Sequence, residues 1–66
     1  MNTLTNEKAV QAALLNAGMS VETLAGKAGI SKATAYRVAK GTRKVAPETI
    51  KAVADVLGVE PASLAK

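Results

Sequence analysis

Apolar residues recur at intervals of three and four along most of the chain, which is the spacing of one buried face of a helix. No stretch alternates apolar and polar residues over the length that a β-strand needs. The pattern predicts five short helices, with inner faces in chain order formed by Val10, Ala13, Leu14 and Ala17; Leu24, Ala25 and Ala28; Ala35 and Val38; Ile50, Val53, Ala54 and Leu57; and Leu64.

Residues with known preferences for helix ends fix the predicted boundaries. Hydroxyl side chains can accept a hydrogen bond from a free N–H of the first turn, and proline suits the first helical position. Glycine adopts the left-handed conformation that often ends a helix. The predicted starts are Thr5, Ser20, Ser31, Pro47 and Pro61, and the predicted ends are Gly18, Gly29, Gly41 and Gly58. The remaining segment Thr42–Ala46 is predicted to be an exposed loop. We therefore expect a compact all-α, five-helix fold in one domain, residues 1–66.

The charges of the chain are unevenly distributed. Its net charge is +4, yet no carboxylate lies between Glu22 and Glu48. Six of the nine cations fall in that interval, namely Lys27, Lys32, Arg37, Lys40, Arg43 and Lys44. A local surplus of this kind is typical of a surface that binds a polyanion.

The composition argues against several other functions. The chain has no cysteine and no histidine, so no thiolate or imidazole is available as a nucleophile, a general base or a metal ligand. Its five acids show no obvious pairing for acid–base chemistry. No apolar run approaches the roughly 20 residues of a membrane span. We expect no enzymatic activity, no metal or cofactor, no small-molecule ligand and no membrane insertion.

The segment from Ser20 to Gly41 is predicted to form two helices around a tight turn at Gly29. Such helices cross steeply, so small residues are expected where the backbones approach, here Ala25 and Gly29. The outer face of the second helix of this pair is then free to enter the major groove of B-DNA, which is about 12 Å wide. The residues on or beside that face are Ser31, Lys32, Ala33, Tyr36, Arg37 and Lys40.

The sequences LAGKAGIS, TAYRVAKG and ETIKAVADVLGV resemble the helix-turn-helix domain of the Cro and lambda-repressor group, also called XRE-like. The similarity runs from Ser20 to Leu64, about two thirds of the chain. It implies a phage or bacterial transcription regulator, such as a repressor, that binds a double-stranded operator in the cytoplasm, at the nucleoid, commonly as a homodimer.

The resemblance also implies roles for individual residues. Ser31, Lys32, Ala33 and Arg37 match positions that contact base edges, whereas Thr34, Arg43 and Lys44 match positions that contact phosphates. From the residues alone, Arg37 can pair with guanine in bidentate fashion, and Lys32 can reach guanine acceptors. Other exposed polar groups at the backbone or edge of the interface are Ser20, Tyr36 and Lys40. The Tyr36 ring is equally compatible with contact to DNA and with packing on the domain's edge.

The chain departs from the group at three positions. Val21 replaces a glutamine or threonine whose side chain meets a phosphate. Leu14 and Ala39 stand where an arginine–glutamate pair commonly joins helix one to the recognition helix. Replacing both members of a buried ion pair with apolar residues can be neutral or stabilising, so this double change is compatible with the fold. Gly26, inside the second helix, has no explanation in the sequence.

Three alternative interpretations remain open at this stage. The basic residues could form an ordinary solvated face. The fold could serve as a protein-interaction module, antitoxin-like or antirepressor. Leu4 and Leu15 could cover the edge of the core or form part of a dimer surface, and Val56 could serve self-association or pack at the edge of the core. Finally, Gly26–Gly29 matches the G-x-x-G pattern of KH domains, although the flanking residues have helical spacing.

Overall fold

The computed structural model of the chain describes residues 2–66. It contains five helices in the predicted order: α1 Glu7–Ala17, α2 Val21–Ala28, α3 Lys32–Lys40, α4 Pro47–Leu57 and α5 Pro61–Leu64. The predicted all-α, five-helix fold is therefore confirmed. Each of the first four helices ends at the predicted glycine, which has a positive φ between 62° and 72°.

Two of the three predicted side-chain caps are confirmed. The Ser20 and Ser31 hydroxyl oxygens each accept a 3.1 Å hydrogen bond from the backbone N–H three residues later. The prediction for Thr5 is wrong, because Asn6 caps α1 by accepting a 3.1 Å bond from the N–H of Ala9. Thr5 lies one residue further out, and its buried hydroxyl bonds to α3 instead.

The prediction that the chain lacks strands is wrong at two short segments. Strand β1, Thr3–Leu4, pairs antiparallel with β2, Lys44–Val45, so that Thr3 lies opposite Val45 and Leu4 opposite Lys44. Strands of two residues are too short to produce a recognisable alternation in sequence. The expected exposed loop after α3 is accordingly wrong at Val45, which is buried, whereas Arg43 and Lys44 are exposed.

The core is formed by the inner faces of all five helices and by Val45. Its members are Val10, Ala13, Leu14, Leu24, Val38, Ala39, Val45, Ile50, Val53, Ala54, Leu57 and Leu64. The prediction is wrong for Ala17, which is exposed. Ala17 is the last residue of α1, and Met19, just past the Gly18 turn, packs against the core. Val56 is half-buried and also packs against the core, which supports the edge-packing interpretation of this residue.

The end of α3 is packed tightly against the start of α1. Gly41 has φ 66°, and a Cβ placed on it would lie 2.6 Å from the carbonyl oxygen of Thr5 and 3.3 Å from the N of Glu7. Real Cβ atoms essentially never approach backbone atoms as closely as the first of these distances. Gly41 is therefore required both for its conformation and for the close approach of the two segments.

Candidate nucleic-acid interface

The turn between α2 and α3 is closed by two backbone hydrogen bonds to one carbonyl. The N–H groups of Gly29 and Ile30 both donate to the carbonyl oxygen of Ala25. Ile30 then packs against the core, and Ala25 and Ala35 are buried, as expected from the sequence. The expectation that Gly29 allows a close backbone approach is wrong, because a Cβ there would meet nothing within 4 Å. Gly29 serves the turn through its φ of 69°.

Helix α3 buries one face and leaves the other free. Ala35, Val38 and Ala39 point into the core, with relative exposures of 1% or less. Four of the predicted DNA-contacting residues of α3 are exposed: Lys32, Ala33, Arg37 and Lys40. Ser31 is exposed at the N-cap and Tyr36 is 39% exposed, while Thr34 is half-buried. The exposed side of α3 is thus a basic ridge formed by Lys32, Arg37 and Lys40, while the opposite side is buried in the domain.

The C-terminal end of α3 is held by side chains from the start of the chain. The last carbonyls of a helix have no partner within the helix. The Thr5 hydroxyl donates a 2.6 Å bond to the carbonyl of Val38, and Gln11 Nε2 donates a 3.3 Å bond to that of Ala39. Sequence reasoning missed both anchors, because a threonine or glutamine near a helix start carries no mark of a partner some 30 positions away.

The first turns of α2 and α3 have the same hydrogen-bonded arrangement. The hydroxyls of Ser20 and Thr23 are joined by a hydrogen bond, and so are those of Ser31 and Thr34, both at 2.9 Å. Each of these bonds uses one of the two hydroxyl hydrogens of its pair, so the other hydrogen is available to an outside acceptor such as a phosphate oxygen. Thr23 is thus a candidate contact that was not identified from the sequence, although the repeated S-x-x-T spacing could have indicated it.

A hydrogen bond between side chains joins α2 to α3 on this surface. The Tyr36 hydroxyl donates to Glu22 Oε2 at 2.7 Å. This bond is the largest cause of a lowered pKa of the Glu22 carboxyl, followed by a hydrogen bond to the Glu22 backbone and, to a smaller extent, the charge of Lys32. The same bond raises the pKa of the Tyr36 phenol. The structure therefore gives Tyr36 a partner that neither of the two sequence interpretations included.

The remaining predicted cations lie around this ridge. Arg43 and Lys44 follow α3 and are exposed, and the pairing of Lys44 with Leu4 fixes the backbone of that segment. Lys40 lines an open groove of about 280 Å³ with Lys8 and Lys66, between the end of α3 and the start of α1. Glu7 lines the same groove, so its three lysines face one carboxylate there.

Two departures from the resembled group now have a structural explanation. Val21 packs against the core, so this side chain contributes to the interior of the domain. Leu14 and Ala39 are both buried in the core cluster, at 4% and 1% exposure, and leave no unpaired charge behind. Two hydrogen bonds, from Thr5 to the carbonyl of Val38 and from Gln11 to that of Ala39, connect the N-terminal region to this end of α3.

These features define a DNA-binding helix-turn-helix protein. A family model described as helix-turn-helix matches residues 10–64, most of the chain, with α2 and α3 in its centre. The chain belongs to this family, the Cro and lambda-repressor-like, or XRE-like, group of transcription regulators. A comparison with individual curated proteins gives no match.

The secondary structure excludes the KH interpretation of the Gly26–Gly29 segment. The KH interpretation is wrong, because Gly26 lies inside α2, Gly29 ends it, and the only sheet among residues 2–66 has two strands of two residues.

No described helix combines the length and hydropathy of a membrane span. Within residues 2–66, no three histidine, cysteine, aspartate or glutamate side chains cluster as a metal site would require.

Proposed function

We propose that this protein is a sequence-specific transcription regulator of the Cro or repressor type, which inserts α3 into the major groove of an operator. The observation that carries the proposal is the exposed α3 face with Lys32, Arg37 and Lys40, opposite a fully buried face. Phosphates and guanine both attract such cations, and the sequence from Lys27 to Lys44 contains no carboxylate that would repel a phosphate. Glu22 of α2 does lie beside α3, where it accepts the hydrogen bond from Tyr36.

Within this proposal the residues divide into two sets. Those that read base edges are Ser31, Lys32, Ala33 and Arg37. Arg37 is suited to guanine, and Ala33 offers only a methyl contact to thymine. Those that hold the backbone or the edge of the interface are Ser20, Thr34, Tyr36, Lys40, Arg43 and Lys44, to which Thr23 is added because its hydroxyl is paired with that of Ser20. Such contacts set position and orientation without reading sequence.

We further propose that two copies bind one near-palindromic operator as a dimer. The recognition helices of a two-fold pair read half-sites about 34 Å apart, one turn of DNA. The longest dimension of the domain is 28 Å, so two copies fit side by side along one face of the duplex at this spacing. Regulation then depends on occupancy of the operator and on protein concentration, and it takes place in the cytoplasm at the nucleoid.

The decisive experiment is selection of bound sequences from a random pool of duplexes, followed by affinity measurements on the selected site. We expect a near-palindromic site. Arg37→Ala should weaken binding by about 1 to 3 kcal/mol and relax one base position. Lys51→Ala removes an exposed lysine from α4, outside the acid-free interval, and serves as the matched control with the base preferences retained. Equal affinity of the protein for all duplexes would refute sequence-specific regulation.

A protein-interaction module of antitoxin or antirepressor type is the second candidate. The observation that favours it is Leu15 on α1, whose side chain is 81% exposed and therefore does not cover the edge of the core. On this hypothesis Leu15→Ser abolishes capture of a protein partner while Arg37→Ala leaves DNA affinity unchanged. The opposite pattern supports the operator-binding proposal.

A further inference from the structure

We propose that Tyr36 reads a base edge as a hydrogen-bond acceptor, selecting adenine or cytosine at one operator position, and that Glu22 imposes this polarity. The inference rests on the proposed function, because it requires α3 to lie in the major groove. It moves Tyr36 from the set that holds the backbone or edge of the interface to the set that reads bases, and it gives a role to Glu22, which belongs to neither set.

The bond to Glu22 uses the one hydrogen that the Tyr36 hydroxyl has. A tyrosine hydroxyl has a single hydrogen and can also accept, whereas an ionised carboxylate only accepts. The 2.7 Å bond between Tyr36 and Glu22 therefore has one possible direction, from the phenol to the carboxylate. The lowered pKa of Glu22 keeps this carboxyl ionised near neutral pH. With its hydrogen committed, Tyr36 presents only lone pairs to an incoming ligand.

The chemistry of DNA then limits what Tyr36 can bind. Phosphate oxygens accept hydrogen bonds, so they offer nothing to a phenol that has no hydrogen left. In the major groove, the exocyclic amines of adenine and cytosine are donors, while guanine and thymine present carbonyl oxygens at the corresponding places. The phenol oxygen is thus complementary to adenine or cytosine and repelled by guanine or thymine.

The location of the pair favours a base edge over the backbone. Tyr36 directly precedes Arg37 on α3 and is one turn from Lys32 and Ala33, so it belongs to the same exposed surface. Glu22 lies in the first turn of α2, and its negative charge disfavours a phosphate beside the phenol. Glu22 acts through Tyr36 and is therefore a positioning residue.

The test compares base preferences selected by the wild-type protein and by three variants. Tyr36→Phe keeps the ring and removes the hydroxyl. Glu22→Ala frees the phenol hydrogen for guanine or thymine. Glu48→Ala removes a carboxylate from the equivalent first turn of α4 and controls for the gain of net positive charge. Affinity ratios between duplexes that differ at one position are the readout, since a general charge effect cancels in such ratios.

We expect the wild-type protein and Glu48→Ala to prefer adenine or cytosine at one position by about 2- to 12-fold, the range of a single neutral hydrogen bond. Tyr36→Phe should abolish the preference at that position alone, and Glu22→Ala should reduce it below about 2-fold. A Tyr36→Phe variant that retains every preference, or weakens binding to all duplexes equally, overturns the inference, as does an unchanged preference in Glu22→Ala. Loss of all sequence preference in the wild type would refute the proposed function itself.

Discussion

The hydroxyl of Thr5 donates a 2.6 Å hydrogen bond to the carbonyl oxygen of Val38, which lies 33 positions away near the end of α3. Both groups are inaccessible to water, since Thr5 is 1% and Val38 0% exposed. An unpaired buried acceptor has a desolvation penalty that an exposed one does not. The bond therefore ties the start of the chain to the helix proposed to read DNA.

Replacing Thr5 with valine should destabilise the fold while keeping the shape of the side chain. The carbonyl of Val38 would lose its partner inside the domain, at a cost of about 1 to 3 kcal/mol in the free energy of unfolding. Urea unfolding measures this difference. Thr42→Val alters an exposed threonine and should change the unfolding free energy by no more than about 0.5 kcal/mol. Equal effects of the two substitutions would contradict a structural role for the Thr5 hydroxyl.

Alanine at Gly41 should be more harmful than alanine at Gly29, although the two glycines have nearly the same φ, 66° and 69°. The left-handed conformation costs an alanine about 1 to 2 kcal/mol at either position. Only at Gly41 would the new Cβ also meet backbone atoms, 2.6 Å from Thr5 O. The difference between the two unfolding free energies isolates the steric contribution. Equal unfolding free energies of the two variants would mean that the backbone at the α1–α3 junction shifts at little energetic cost.

Alanine at Gly26 should stabilise the protein. Gly26 lies inside α2 without a positive φ, and a Cβ there would meet nothing within 4 Å. Glycine in a helix interior is about 1 kcal/mol less favourable than alanine. Thermal unfolding should show a rise of about 4 to 8 °C for a domain of this size. If the melting temperature falls instead, the backbone of α2 requires glycine for a reason other than space.

The Glu22–Tyr36 bond should make the pKa of Glu22 sensitive to Tyr36. Tyr36→Phe removes the largest influence lowering that pKa, so NMR titration of the Glu22 carboxyl should show a rise toward the ordinary pKa of a glutamate. The backbone hydrogen bond of Glu22 and the charge of Lys32 remain, so the rise should be incomplete. An unchanged Glu22 pKa in Tyr36→Phe would show that the hydrogen bond is not formed in solution.

The stability that the Glu22–Tyr36 pair contributes should depend on pH. Glu22 has a lowered pKa in the folded state, so its contribution to stability is present above the unfolded pKa and is lost as pH falls through the folded one. Tyr36 has a raised pKa, so its contribution is present below the unfolded value near 10 and is lost as pH rises through the folded one. The stabilising effect of the pair should therefore be confined to the pH interval between these limits.

Local sequence determined much of the helical part of the fold and the position of the candidate interface. Ser20, Ser31 and the glycines after α1 to α4 act on backbone groups within a few residues, so their effect can be deduced without knowing the rest of the structure. The interval without acids is likewise a property of the sequence. Local sequence does not distinguish Thr5 from Asn6 as the cap of α1, because both residue types are good caps and only packing decides between them.

What only the tertiary structure decided are contacts between segments that are distant in the chain. The pairing of Thr3–Leu4 with Lys44–Val45, the close approach at Gly41 and the bond from Tyr36 to Glu22 all depend on how α1, α2 and α3 are oriented. Two residues or a single side chain carry no periodic signal, and their partners are set by the packing of the whole core. Sequence alone thus determined which helix presents its basic face, whereas the folded arrangement determined how that helix is anchored and which hydrogens its side chains have left to offer.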